Sequence, residues 1–239
     1  MSGVRLDKYM CDTKMVLTRS QARMLIKQGD VFVDDKQVLK PGYEVNNNSK
    51  VIIKERKLYV SRGAYKLTHA IEKFNLNFSD LIVMDCGAST GGFTQVCLEA
   101  GAHKVYALDV GHGQLAKPIA DNSKVINQEG INLKYPFELA EKADAFVADL
   151  SFISIKLVID NILANLKEDG FGVLLIKPQF EIGKDHIGKG GIVEDSLGLN
   201  CAKELRDWLL EKFKDVSDLI PSSIKGKTGN QEYLVLVKR

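Results

Sequence analysis

From residue 61 to residue 239 the chain alternates short apolar runs with stretches of helical periodicity, and few architectures accept that pattern. The runs are "LIVMD" (81–85), "KVYALDV" (104–110), "KVINQ" (124–128), "DAFVADL" (144–150), "GVLLIK" (172–177) and "YLVLVK" (233–238). Amphipathic stretches fall at "SRGAYKLTHAIEKFN" (61–75) and around 92–100, 155–167 and 196–213. Strands that alternate with helices predict an α/β fold: an open, mostly parallel, doubly wound sheet with helices on both faces. Ligands of such sheets bind in the crevice beyond the carboxyl ends of the strands, so the residues that close the apolar runs are the first candidates for function.

The first sixty residues read differently. "RLDKYMCDTKM" sets Leu6, Met10 and Met15 near helical spacing, and "TRSQARMLIKQG" sets Ala22, Leu25 and Ile26 on one face, with Thr18 as N-cap and Gly29 as stop. "DVFVDDKQVLKPG" then alternates about an Asp34-Asp35 turn, and "KVIIK" (50–54) follows a polar "NNNS" loop, which completes a small sheet. The expected organisation is a small α+β domain over 1–56, a linker over 57–61 and the α/β domain over 62–239. The net charge of +2 conceals an asymmetry: residues 1–60 hold 12 Lys and Arg against 7 Asp and Glu, which leaves the remainder net acidic. A basic module on a near-neutral body fits binding to a polyanion, and a solvated basic face gives the same charge pattern.

Composition excludes several classes. A chain that is 45% hydrophobic and 27% charged can bury a core, so disorder is not expected. No apolar stretch is long enough to span a bilayer, and "MSGVRLDKYM" places Arg5, Asp7 and Lys8 where a signal peptide needs an apolar core. A cytoplasmic location without stable membrane association is expected. Cys11, Cys86, Cys97 and Cys201 lack C-x-x-C spacing, and His69, His103, His112 and His186 form no ligand pair, so neither a disulfide framework nor a metal site is expected.

The segment "DCGASTGGFTQ" (85–95) closes the first apolar run with a glycine-rich turn at the expected crevice. Gly87, Gly91 and Gly92 do not make G-x-G-x-x-G, and no G-K-[ST] follows, so neither a pyrophosphate cradle nor a P-loop is read here. Asp109 lies about two dozen residues on, at the end of the next run, where a carboxylate can accept both ribose hydroxyls of a nucleoside. A glycine turn with a ribose acid points to an adenosine-containing cofactor; a tight turn with a strand-end Asp capping a helix gives the same pattern.

Four further charges share a placement: Lys66 on the opening helix, Asp149 and Lys177 at the ends of apolar runs, and Glu232 entering the last one. Central strand ends converge on one crevice, so the four can meet there. A ribose hydroxyl is a poor nucleophile until its proton is taken. A lysine can take it when partial desolvation and a second cation favour its neutral form and carboxylates fix its direction. Lys177 is the candidate base, with Lys66, Asp149 and Glu232 as its tuners and positioners. The fourth run ends in "DLSF" rather than the [DN]-P-P-[YF] expected for methylation of exocyclic amines, and no Cys is read at a strand end as a nucleophile for carbon methylation. A hydroxyl acceptor is favoured.

"DCGASTGGFTQ" followed by "ALDV" resembles the first two motifs of the Rossmann-fold S-adenosylmethionine-dependent methyltransferases. The resemblance implies S-adenosyl-L-methionine as cofactor, with the methionine half over the turn, so that no pyrophosphate is neutralised. It implies contacts from Asp85, Gly87, Ala88, Ser89, Thr90, Gly91, Gly92 and Phe93 along the turn, Asp109 and Val110 at the ribose, Asn132 or its neighbours in "QEGINL" (128–133) near adenine, and Asp149. "SRGAYKL", "DLSFIS", "LLIKPQFE" and "GNQEYLVL" are similar in order and context to the Lys-Asp-Lys-Glu tetrad of the FtsJ-like ribose 2′-O-methyltransferases, which implies catalytic roles for Lys66, Asp149, Lys177 and Glu232.

The N-terminal segment resembles the small RNA-binding module of the S-four type, which implies an RNA face of Arg5, Arg19, Ser20, Gln21, Arg23 and Lys27. Asp34-Asp35 departs from the Asn-Gly usual at that hairpin. Clustered Arg and Lys on two short helices would contact phosphates and recognise structured RNA by shape. In this order the two parts resemble the TlyA family, known both as hemolysins and as ribosomal RNA cytidine 2′-O-methyltransferases. The implied reaction is methylation of cytidine ribose in ribosomal RNA, with a ribosomal subunit or precursor as partner and a buried target flipped out of its helix.

Two rivals from other classes are a ribosome-binding factor with a vestigial transferase site and a membrane-acting hemolysin. The first conflicts with an intact cofactor turn and tetrad; the second needs a membrane span, a barrel pattern or an inserting helix, and none stands out. Transfer RNA or a messenger cap would suit the basic appendage equally, and only the family resemblance points to the ribosome. The loop "FEIGKDHIGKGGIVED" (180–195) mixes Gly, Lys and acids beside Lys177 and is expected to be a mobile lid or an RNA-contacting segment.

Overall fold

The computed structural model describes residues 3–16, 18–46, 48–54 and 59–239, without the side chains of Gln28 and Lys184. Residues 57 and 58 of the expected linker lie outside that set. The chain divides into two units, Met1–Arg62 and Gly63–Arg239.

The first unit runs β1 (Val4–Arg5), α1 (Leu6–Asp12), α2 (Arg19–Gln28), β2 (Val31–Val33), β3 (Lys36–Gln37), β4 (Glu44–Val45) and β5 (Val51–Ile53). Both ends of α2 are where the sequence puts them: Thr18 Oγ1 accepts a hydrogen bond from the Gln21 amide at 3.2 Å, and Gly29 closes the helix at φ 78°. Leu6, Met10, Ala22, Leu25 and Ile26 are fully buried and pack with Val31 and Val33 of the antiparallel sheet β3-β2-β5. Asp34 (φ 50°) and Asp35 (φ 63°) are both left-handed, the conformation a two-residue hairpin of type I′ demands. Asp tolerates it, and Asp34 Oδ1 accepts the Lys50 amide at 2.8 Å, so the turn survives without Asn-Gly.

The second unit runs α3 (Gly63–Phe74), β6 (Ile82–Cys86), α4 (Gly92–Glu99), β7 (Lys104–Asp109), α5 (Lys117–Ala120), β8 (Val125–Glu129), β9 (Ala143–Ala148), α6 (Ile159–Ala164), β10 (Leu166–Ile176), α7 (Pro178–Glu181), α8 (Asp195–Leu209), β11 (Asp215–Val216), β12 (Ile220–Pro221) and β13 (Tyr233–Lys238). Its sheet has the order β11-β13-β10-β9-β6-β7-β8, with β12 also on β13. From β10 to β8 the pairs are parallel, while β13 runs antiparallel to β10. The chain goes outward from β6 to β7 and β8 and returns to β9 on the other side of β6. That reversal opens a crevice at the carboxyl ends of β6 and β9. Met84, Phe146, Leu174 and Val235 of the strands are fully buried against Ile159 and Ile162 of α6 and Leu205 and Leu209 of α8, each such side chain contributing roughly 1.5–3 kcal/mol.

Two expectations change. The helix read over 155–167 is a 3-10 turn at Ile155–Leu157 and the short α6, and β10 begins at Leu166 instead of 172. Lys167, Glu168 and Asp169 hide the strand start in the sequence, and the register against β9 shifts between Leu166 and Phe171, where Gly170 stands. A Cβ at Gly170 would lie 2.7 Å from Leu166 Cγ, so only glycine fits the irregularity. The last helix ends at Leu209, short of 213.

Candidate active site

The turn after β6 is held by backbone. The amides of Gly87 and Ala88 both donate to the Leu108 carbonyl of β7, at 2.9 and 3.0 Å, and the Gly91 amide donates to the Ala88 carbonyl at 2.7 Å. Gly87 has φ +85°, and a Cβ there would lie 3.1 Å from the Asp149 carbonyl, so glycine lets the ends of β6 and β9 approach. Asp109, ending β7, braces the turn from the side: its Oδ2 accepts the Ser89 amide at 2.8 Å and its Oδ1 the Gly111 amide at 2.7 Å.

A cavity of about 520 Å³ lies against these groups, within the size range of small-molecule sites. Of the residues expected to hold the cofactor, Gly87, Ser89, Asp109, Val110, Asn132 and Asp149 line it. Ala88, Thr90, Gly91, Gly92 and Phe93 do not; they shape the turn and the start of α4. Asp85 is fully buried away from the cavity wall, where Thr94 Oγ1 donates to its Oδ2 at 2.6 Å. Ile131 and Leu133, the neighbours of Asn132 in "QEGINL", line it too, while the sequence reading missed Leu108, Gln114 and the segment Leu150–Ile153, which complete the wall. Gln114 follows a strand end by only five residues, and "DLSFIS" follows another directly, so position was the available signal. Among its lining residues the wall carries the carboxylates of Asp109 and Asp149 and no Lys or Arg. Such a wall suits a ribose and a cationic centre and disfavours a pyrophosphate.

Burial pushes the Asp85 carboxyl up to about 7, against the opposing bond from Thr94, and the charge of Asp149 adds to the rise. Unfolded Asp titrates near 4, so between about pH 4 and pH 7 the folded chain holds a proton that the unfolded chain has released. This contribution to stability is full below pH 4 and is lost as pH rises through 7. Asp85→Asn should remove the slope, so that its stability relative to the native chain improves by on the order of 3 kcal/mol between pH 4 and pH 8.5. Urea midpoints at the two pH values check this, and parallel midpoints for the two proteins would count against it. Cys86 ends β6, contrary to the expectation that no Cys closes a strand. It is fully buried, and burial raises its thiol well above the ordinary range, so it is no nucleophile.

The four charges form two ion pairs, Lys66–Glu232 buried and Lys177–Asp149 partly buried. Lys177, just past β10, lies 2.5 Å from Asp149 Oδ1, just past β9, and its Nζ donates to Ser151 Oγ at 2.8 Å. Lys66 of α3 lies 2.5 Å from Glu232 Oε2. Ile176 pairs with Tyr233, so Lys177 and Glu232 stand one residue beyond the last paired positions of adjacent strands, which run about 5 Å apart. The sheet thus brings both pairs to one edge of the crevice. Both lysines are buried, at 7% exposure for Lys66 and 8% for Lys177.

The loop expected as a lid is anchored at both ends. Glu181 accepts the Ser154 hydroxyl at 2.6 Å and the Ile155 amide at 2.9 Å; the buried Asn230 accepts the Val193 amide at 2.9 Å and donates to the Gly191 carbonyl at 2.8 Å.

In the first unit, Arg5, Arg19 and Arg23 converge on Asp7, which is fully buried, at 3.1, 3.0 and 2.9 Å. Bonds from Arg5, then from Arg23 and Arg19 against the cost of burial, hold the Asp7 carboxyl well below the usual carboxylate range. Each arginine keeps about half of its side chain exposed, and Ser20 and Lys27 are exposed as well. Gln21 does not join them: it is buried, and its amide donates to the Tyr59 carbonyl at 3.0 Å. Asp7 was not singled out from the sequence, where nothing indicates that three arginines share one acid.

The FtsJ-like methyltransferase family model matches residues 59–239, and the S4 domain model matches residues 4–52. Hemolysin A of Brachyspira hyodysenteriae is 37% identical over 97% of this chain and 98% of its own length. The 16S/23S rRNA (cytidine-2′-O)-methyltransferase TlyA of Mycobacterium tuberculosis is 38% identical over 98% of this chain and 89% of its own. A solved protein of Streptococcus thermophilus, described provisionally as a hemolysin, is 34% identical and superposes with a TM-score of 0.75 over 100% of this chain and 89% of its own.

Proposed function

The chain belongs to the FtsJ-like methyltransferase family, with an S4 domain ahead of the transferase domain, and from that premise we propose that it methylates the 2′-hydroxyl of cytidine in ribosomal RNA. The observation that carries the reading is a cavity with two carboxylates and no cation in its wall, bordered by a buried lysine that is ion-paired with one wall residue and hydrogen-bonded to another. S-adenosyl-L-methionine supplies a methyl group on a sulfonium, open to in-line displacement by an oxygen. Asp109 would hold the ribose of that cofactor by accepting its hydroxyls, and Gly87 and Ser89 would present backbone to it. Lys177 takes the proton from the attacking 2′-oxygen, Asp149 fixes its amine, and the Lys66–Glu232 pair sits beside it with compensating charge.

The target is assigned from the M. tuberculosis relative, which is named for cytidine in 16S and 23S rRNA. Ribosomal subunits or their precursors, in the cytoplasm, would then be the partners. The hemolysin names of other relatives find no membrane-spanning counterpart here: among the described residues no helix is long and apolar enough to cross a bilayer. Transfer of labelled methyl to isolated small and large subunits, followed by mapping of the modified ribose, tests the assignment. No label in either subunit would defeat it.

Arg5, Arg19 and Arg23 form the phosphate-contacting face in this reading. Replacing all three by Gln should weaken RNA binding at least about tenfold and flatten the slope of log K against log salt by roughly 2, since each lost phosphate contact removes about 0.7–0.9. Filter binding across a salt series measures both quantities. An unchanged slope would remove these residues from the interface.

A further inference from the structure

Lys177 Nζ has two polar contacts of different kinds: an ion pair with Asp149 Oδ1 at 2.5 Å and a hydrogen bond donated to Ser151 Oγ at 2.8 Å. Both residues line the cavity, and Ser151 is exposed to it while Lys177 is buried. A neutral lysine amine keeps two N–H bonds and one lone pair. With one N–H held by Ser151, rotation about the Cε–Nζ bond leaves two positions open to the lone pair. The Asp149 carboxylate repels a lone pair turned toward it, so one of the two is favoured.

We propose that Ser151 is a positioning residue for the transfer reaction: by accepting from Lys177 it directs the amine lone pair at the hydroxyl that is to be methylated. This rests on the reading of Lys177 as the base. In the step, the ribose O–H bond breaks as an N–H bond forms on Lys177, and the oxygen electron pair takes the methyl carbon as the carbon–sulfur bond breaks. Ser151 keeps its own proton throughout. The remaining charges around the amine are Asp149 and, across the β10–β13 edge, the Lys66–Glu232 pair, and the ring of Phe180 lies 5.9 Å away.

The test compares the native chain with Ser151→Ala and Ser151→Thr. A hydrogen bond to a charged group sets the scale, so Ser151→Ala should lower kcat for rRNA methylation about 10- to 30-fold. KM for RNA and Kd for S-adenosylhomocysteine should stay within about threefold, and Ser151→Thr should restore kcat to within about threefold of native. The reactivity of Lys177 toward acetic anhydride at pH 8, read by mass spectrometry, should rise at least about threefold in Ser151→Ala and return in Ser151→Thr, because a lost acceptor releases the amine. A Ser151→Ala variant with native kcat, a loss confined to cofactor affinity, or native labelling of Lys177 would each overturn the proposal. If the native chain transfers no methyl to rRNA, the functional reading fails, and the labelling comparison still decides the contact.

Discussion

Lys177→Met abolishes methyl transfer, by at least about 10³-fold in kcat, while the Kd for S-adenosylhomocysteine stays within about threefold: that is the result expected if Lys177 is the base. General base catalysis contributes roughly 10²–10⁴ in rate, and methionine offers no proton acceptor in place of a side chain that is 8% exposed beside Asp149 and Ser151. Methionine keeps the length and apolar stem of lysine and removes only the amine. Lys177 is not itself part of the cavity wall, which is why affinity should survive. Stability should not be untouched, because Asp149 loses its counter-charge next to an already disfavoured Asp85, so binding is best measured well below the melting temperature. Single-turnover transfer and calorimetric titration on the same preparation separate the two effects. Equal losses in both would mean that Lys177 serves the cofactor and not the proton.

The legibility of the chain varied with how local the physics was. Thr18 and Gly29 were readable as helix ends because a cap is decided within three residues of the chain. The parallel core was readable because buried strands are apolar throughout, but that same uniformity hides which side a residue takes, and Asp85 turned out to be sealed beside Thr94 instead of facing the cofactor. The start of β10 was illegible for the opposite reason, since Lys167–Gly170 carries no apolar signal. Lys66, Asp149, Lys177 and Glu232 could be named as a set, yet their partners are decided by the register of β10 on β13 and the end of β9, which a sequence does not state. Ser151 went unseen because a serine after an aspartate has many uses, and only the 2.8 Å approach of Lys177 singles out one. Asp7 is the same case in the first unit, where α1 must pack on α2 before three arginines can find one acid.

Asp109→Ala should do the reverse of Lys177→Met. Each oxygen of Asp109 already accepts one backbone amide, Ser89 on Oδ2 and Gly111 on Oδ1, and each retains a lone pair for one ribose hydroxyl. Two hydrogen bonds to a charged acceptor amount to about 3–6 kcal/mol, so affinity should fall at least about 100-fold. The loss should be equal for S-adenosylmethionine and S-adenosylhomocysteine, because the ribose is common to both and the sulfonium charge is not. At saturating cofactor, kcat should remain within about tenfold of native, since the proton-accepting side of the site depends on Asp149, Lys177 and Ser151. Asparagine is no substitute at this position: whichever way its amide turns, one NH₂ faces a backbone N–H, and the turn that presents Gly87 loses a brace. The two variants therefore form a crossed pair, one losing rate and the other affinity. An Asp109→Ala protein that binds both ligands with native affinity would show that the cavity beside Gly87 does not hold the cofactor through its ribose, and the assignment of Lys177 as base would lose its frame of reference.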